Sequence, residues 1–271
     1  MSTQGAAPET PKIAFSGVEV RFPGTSTAAV KGLDLAIEAG ELCVLLGPSG
    51  CGKTTSLELV NRLREPTAGT IEIDGTPTTA LDPISLRRTI GYAFQGVGLF
   101  PHWTVSENIA VVPKLLGWSA GQIAERVEDL LDRVRLDRDL AGRLPHELSG
   151  GQRQRVGVAR ALAAKPSILL LDEPFGALDP ITRAALQGEL RGWHRDLALT
   201  TILVTHDVVE ALRLGDRIVV MGEGSIVASG TPQEITRSKD ARVAELMRVP
   251  REQAEELAQV LGDGESSSSH G

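Results

Sequence analysis

Lys53 and Thr54 close the run Gly47-Pro48-Ser49-Gly50-Cys51-Gly52, and together these residues fit the pattern G-x-x-x-x-G-K-[ST]. Gly47, Gly50 and Gly52 let the backbone turn its N–H groups inward. Those groups and the N-terminus of a following helix can then hold phosphate oxygens. Lys53 supplies a positive charge for β- and γ-phosphates, and the Thr54 hydroxyl can ligate Mg²⁺. A glycine-rich turn with a chance lysine is the plain alternative. It is disfavoured because an apolar stretch, Leu42 to Leu46, precedes the loop and a helical stretch follows it.

Further candidates lie downstream. Ile168-Leu169-Leu170-Leu171 reads as a buried strand ending in Asp172-Glu173, with Pro174 stopping it. Adjacent strand residues face opposite ways, which divides the work: Asp172 can approach a Mg²⁺ shell, and Glu173 can polarise a water. The plain alternative is a pair of acidic residues at a solvated strand end. Leu148-Ser149-Gly150-Gly151-Gln152 opens a helix, so its free N–H groups form a second phosphate site or an ordinary N-cap. The strand Thr201 to Thr205 runs into His206, placed where an open α/β sheet carries a catalytic group. Gln95 falls in a loop after the apolar Ile90 to Phe94. Phe22 can stack on a purine or fill the core.

The elements that must position these groups alternate between strand and helix. Ile13 and Phe15, then Val18, Val20 and Phe22, read as strands on either side of a Gly17 turn, and Leu33, Leu35 and Ile37 as another, which predicts an antiparallel β layer ahead of the P-loop. Helices are predicted over Leu57 to Arg64, from Val105 behind a Thr104/Glu107 capping box, along Ile123, Val127, Leu130, Leu131 and Val134, and behind Asp179-Pro180. Residues 96–164 thus form a mostly helical insert between β-rich portions. Residues 1–11 read as a disordered leader without an apolar signal segment, 12–245 as the main domain, and 246–271 as a helix and a disordered tail from Gly262. The chain has 271 residues, a net charge of −7 and 23% charged residues, which argues against nucleic acid as a partner. No apolar run reaches the roughly 20 residues that span a bilayer, so any membrane part must come from another chain. Cys43 and Cys51 read as reduced thiols. Because Cys51 lies inside the phosphate loop, a thiol reagent is expected to block activity and bound nucleotide to protect it.

In identity and order these motifs resemble the ATP-binding cassette (ABC) ATPases over about residues 12–240. The resemblance implies an α/β fold: a P-loop NTPase with a RecA-like core (12–95 and 165–232), the N-terminal antiparallel β layer and an inserted α-helical subdomain (about 96–164). It implies ATP and Mg²⁺ as ligands. ATP would be held by Phe22, Gly47, Pro48, Ser49, Gly50, Cys51, Gly52, Lys53, Thr54 and Thr55. Mg²⁺ would be held by Thr54, Gln95 and, through water, Asp172. Glu173 is similar to the catalytic base, His206 to the switch histidine, Gln95 to the Q-loop glutamine, and Ala177-Leu178-Asp179 to the D-loop. Leu148, Ser149, Gly150, Gly151 and Gln152 resemble the signature, which in a head-to-tail homodimer closes over the partner's ATP.

A narrower likeness covers residues 88–118, with Asn61-Arg62-Leu63 and Glu65-Pro66, and points to ATPase subunits of bacterial osmoprotectant importers. It implies membrane permease subunits, a substrate-binding protein and a place on the cytoplasmic face of the membrane. Two departures stand out. Gly96 replaces a second glutamine common in that group, and no paired CBS modules follow, so osmotic sensing through such modules is not expected. The competing classes are a soluble ABC protein, which predicts basic patches or coiled coils, and a P-loop kinase, which has no use for Leu-Ser-Gly-Gly-Gln.

Overall fold

The computed structural model describes residues 10–176 and 178–266. Residues 1–9 of the expected leader, Ala177 of the expected D-loop and the last five residues lie outside them. The chain runs β1 (Ile13–Val20), β2 (Val30–Ile37), β3 (Leu42–Leu46), α1 (Lys53–Val60), β4 (Ala68–Ile73), β5 (Thr76–Pro77), α2 (Pro83–Thr89), β6 (Ile90–Ala93), α3 (Val105–Leu115), α4 (Ala120–Arg133) and α5 (Gly150–Leu162). It continues through β7 (Ile168–Asp172), α6 (Pro180–Asp196), β8 (Thr200–Thr205), α7 (Val208–Leu214), β9 (Arg217–Gly222), β10 (Ser225–Gly230), α8 (Pro232–Thr236) and α9 (Ala241–Ser266).

Two sheets result. One is antiparallel, in the order β2-β1-β4-β5; the other has the order β10-β9-β3-β8-β7-β6, parallel from β9 to β6 with β10 antiparallel at the edge. Strands β3, β7 and β8 are buried on both faces, which is why their sequences are continuous apolar runs and do not alternate. Their side chains divide by parity. Leu42, Val44, Leu46, Leu169 and Leu171 join a core with α3 to α9, whereas Cys43, Leu45, Ile168 and Leu170 join a second core with α1, α2 and the antiparallel sheet. Each fully buried leucine contributes roughly 1.5–3 kcal/mol. The parallel sheet is thus the rigid middle layer, and its C-terminal edge presents Gly47, Asp172 and His206.

Three local expectations are corrected. Gly17 is not a turn between two strands: β1 passes through it as a bulge, with φ +55°, and its N–H donates to Asp34 Oδ1 at 2.7 Å. Helix α1 begins at Lys53 and ends at Val60, with Arg62 in the left-handed region, so neither Lys53 nor Thr54 stays in the loop. Helix α9 continues to Ser266, past Gly262 where a disordered tail was expected. The capping box at Thr104 and Glu107 and the buried faces of α4 and α6 are found as read.

Candidate active site at the sheet edge

Between β3 and α1 the loop folds back so that Lys53 is buried, and its Nζ donates to Gly47 O at 2.7 Å and Pro48 O at 2.9 Å. Gly52 caps α1 at φ +102°, where a Cβ would lie 2.5 Å from Ala29 O; only glycine fits. Pro48, Ser49, Gly50 and Thr54 are exposed and Thr55 is half-buried, which leaves the outer loop and the first turn of α1 open to a ligand. Cys51 does not join them. It is 3% exposed, belongs to the apolar core under the antiparallel sheet, and its Sγ fills the space beside Gly47, where a Cβ would come within 2.9 Å. Its thiol is thus buried beneath the loop, 3.9 Å from Lys53 Nζ, and not on the exposed surface that the expected thiol sensitivity requires.

Thr54 Oγ1, in the first turn of α1, donates to Asp172 Oδ1 at the end of β7 at 3.0 Å. Asp172 is buried, and desolvation pushes its carboxyl above the usual range against the Thr54 bond. These two oxygens suit Mg²⁺, which keeps several waters and takes one or two carboxylates beside substrate phosphates. Glu173 has left the strand: its φ is +44°, and its N–H donates to Val204 O at 3.0 Å. This non-glycine left-handed residue, and not strand alternation, is what turns its carboxylate away from Asp172. One oxygen, Oε2, accepts from Gln95 Nε2 at 3.1 Å; the other, Oε1, lies 3.2 Å from His206 Nδ1. Gln95 thus meets Glu173 and not the Thr54–Asp172 pair. Phe22 is half-buried with the Arg64 guanidinium 4.5 Å above its ring.

The signature residues stand apart from this cluster. Leu148 is buried; Ser149 caps α5, accepting from Gln152 N–H at 3.2 Å while its own N–H donates to Gln152 Oε1 at 2.8 Å. The N–H groups of Gly150 and Gly151 head the helix beside them. Asp179 caps α6, its Oδ1 accepting from Ile181 and Thr182 N–H.

A sequence model of the family described as ABC transporter matches residues 30–176. The chain belongs to the ABC transporter family. The glycine betaine/carnitine/choline transport ATP-binding protein of Bacillus subtilis is 53% identical over 78% of this chain, and the osmoprotectant import ATP-binding protein of Salmonella typhimurium is 51% identical over 80%. The chain spans 55% and 57% of those two relatives, and 71% of the glycine betaine uptake ATP-binding protein of Escherichia coli, which is 50% identical. Among solved structures, this ABC chain is similar to a dimeric ATP-binding cassette in a post-hydrolysis state bound to ADP and Pi, with a TM-score of 0.74 and 33% identity over 81% of this chain and 98% of that one. It is also similar to a component of an ABC transporter complex from Clostridium perfringens, with a TM-score of 0.78, 29% identity and coverage of 90% and 97%. The P-loop NTPase fold follows.

Sequence reasoning passed over two arginines. Arg160 sits at i+4 from Val156 and three before Ala163, so a charge lies on an apolar helical stripe; that misplacement was the available signal. Arg155, whose guanidinium meets the buried Glu189 carboxylate and Val134 O, gave no local signal.

Proposed function

We propose that the chain is the ATP-hydrolysing subunit of an importer for an osmoprotectant or quaternary amine, such as glycine betaine, choline, carnitine or proline betaine. It works as a homodimer on the cytoplasmic face of the membrane, against separate permease subunits served by a substrate-binding protein. The observation that carries this reading is the Glu173 carboxylate held between Gln95 and His206 beside the P-loop. The names and roughly 50% identity of the osmoprotectant relatives support the substrate class. The likeness to a dimeric, ADP-bound cassette supports ATP as ligand and the dimer.

In this reading Lys53 and the amides of residues 47–55 bind the ATP phosphates and oppose the charge that develops on the transferring group. Thr54 and Asp172 would hold Mg²⁺, which neutralises phosphate charge when bound. Gln95 and His206 orient the two oxygens of Glu173 so that it accepts a proton from the attacking water. Leu148 to Gln152, bonded among themselves, serve ATP on a second copy. The helical subdomain of about 96–164 carries the permease contact. Phe100 and Trp103 are 44% and 39% exposed there, and the same subdomain holds a groove of about 650 Å³ lined by Ala110, Lys114, Trp118, Ile123, Val127 and Leu131. An amphipathic helix of the permease suits such a groove.

The test is reconstitution with co-purifying membrane subunits and ATP-driven uptake of labelled glycine betaine and choline. Uptake of another solute with no quaternary amine moved would overturn the substrate class. Absence of acceptor-free ATP hydrolysis would overturn the ATPase.

A further inference from the structure

Arg160 lies buried in the middle of α5, and burial draws its guanidinium below the usual arginine range with no carboxylate counteracting it. Its charge is met by carbonyl oxygens: Nη1 donates to Gly98 O and Nη2 to Val97 O, both at 2.7 Å. A planar fork with two charge-assisted bonds fixes direction as well as distance. The segment it grips is strained. Gly96, Val97 and Gly98 have φ of +75°, +69° and +52°, three left-handed residues in succession, and a β-branched side chain is a poor occupant of that region.

The same helix blocks relaxation on its other side. A Cβ on Gly157 would fall 2.8 Å from Val97 Cγ1, so the valine packs into space that only glycine leaves. One turn on, Ala161 O stands 2.5 Å from where a Cβ of Gly91 in β6 would be. At its N-terminal end α5 carries the signature, where Thr182 Cγ2 of α6 fills the place of a Gly151 side chain. Gln95, two residues before Val97, reaches Glu173. The loop therefore cannot shift relative to α5 without breaking two charge-assisted bonds.

We propose that Arg160 is a positioning residue: through its fork on Val97 and Gly98 the signature helix sets the loop that brings Gln95 to Glu173, so nucleotide held at the signature is felt at the chain's own reaction centre. This rests on the ATPase-dimer reading given above. The two ATP sites of a dimer then communicate within one chain, along α5, as well as across the interface.

The experiment compares the full chain with Arg160→Gln, Arg160→Lys and Val97→Gly. Four quantities are measured: amide exchange of residues 94–100 without nucleotide, ATP affinity, kcat, and the cooperativity of hydrolysis in ATP. Arg160→Gln is expected to speed exchange at residues 96–98 by about tenfold or more and to lower kcat by about 10²-fold while ATP affinity stays within about twofold. Cooperativity should be lost with it. Arg160→Lys, a single point donor, should fall between. Val97→Gly leaves the arginine in place and frees the loop, so it should speed exchange and lower kcat at unchanged melting temperature, and it decides the matter if Arg160→Gln does not fold. Wild-type exchange and kcat in Val97→Gly and in every Arg160 variant that folds would overturn the proposal. If the wild-type chain hydrolyses no ATP, the functional reading fails, and the exchange measurement still decides the clamp.

Discussion

His206 Nδ1 lies 3.2 Å from Glu173 Oε1, the histidine 58% exposed and the carboxylate 20%. The two residues leave the neighbouring parallel strands β8 and β7, and the contact exists because Glu173 turns into the left-handed region while its N–H is tied to Val204 O. Glu173→Gln keeps the shape and a partner for Gln95 but removes the proton acceptor. Turnover should fall about 10²- to 10⁴-fold with ATP binding retained. Chromatography with ATP should then show a trapped dimer. Near-normal turnover would take Glu173 out of the role of base.

Thr54 and Asp172 face each other at 3.0 Å, and Asp172→Asn keeps the acceptor while deleting the charge. Mg²⁺-dependent nucleotide affinity should drop roughly 10- to 100-fold, the usual cost of losing a group that supports a metal through water. Affinity in excess EDTA should hardly change. Calorimetric titrations with and without Mg²⁺ make the comparison; equal losses in both would assign Asp172 to packing alone.

Both cysteines are buried, and desolvation pushes the Cys43 thiol up to about 12. Thiolate is the reactive form, so the folded chain should resist a thiol reagent at neutral pH, with or without ATP. In denaturant two thiols should titrate. Rapid modification of Cys51 in the native chain, with protection by ATP, would return its side chain to the phosphate surface.

What the sequence revealed follows the range of the forces involved. The phosphate loop, the strand ending in Asp172 and the caps at Ser149 and Asp179 are local patterns, legible because backbone N–H groups at a helix start demand particular neighbours. Gly17 was misread because a lone glycine between alternating apolar residues suits a turn as well as a bulge; the deciding partner, Asp34, is 17 residues away. The start of α1 was placed late because Lys53, Thr54 and Thr55 give no apolar period. The inward packing of Cys51 depends on distant strands, and the left-handed Val97 on Arg160 and Gly157 of α5, partners that lie far along the chain.

His194 contributes to the pH dependence of stability. It is buried on α6 with Nδ1 3.0 Å from Thr201 Oγ1, and desolvation lowers its pKa despite Asp216, whose carboxylate lies 3.8 Å from Nε2. Arg191 and Arg195 act in the same direction as burial. A histidine whose folded pKa is depressed leaves the unfolded chain holding the extra proton below about pH 6.5, so its stabilisation is complete above that pH and is lost as pH falls. Glu210, whose carboxyl burial raises, works in the opposite sense, since its stabilisation is lost as pH climbs past the ordinary carboxylate range. The histidine contribution is therefore read as a difference between wild type and His194→Gln. Urea unfolding at about pH 5.5 and about pH 7.5 should show the wild type losing up to about 1.4 kcal/mol more than the variant between the two conditions. Equal losses would mean that His194 protonates as readily in the folded chain as in the unfolded one, and its burial would then carry no electrostatic cost.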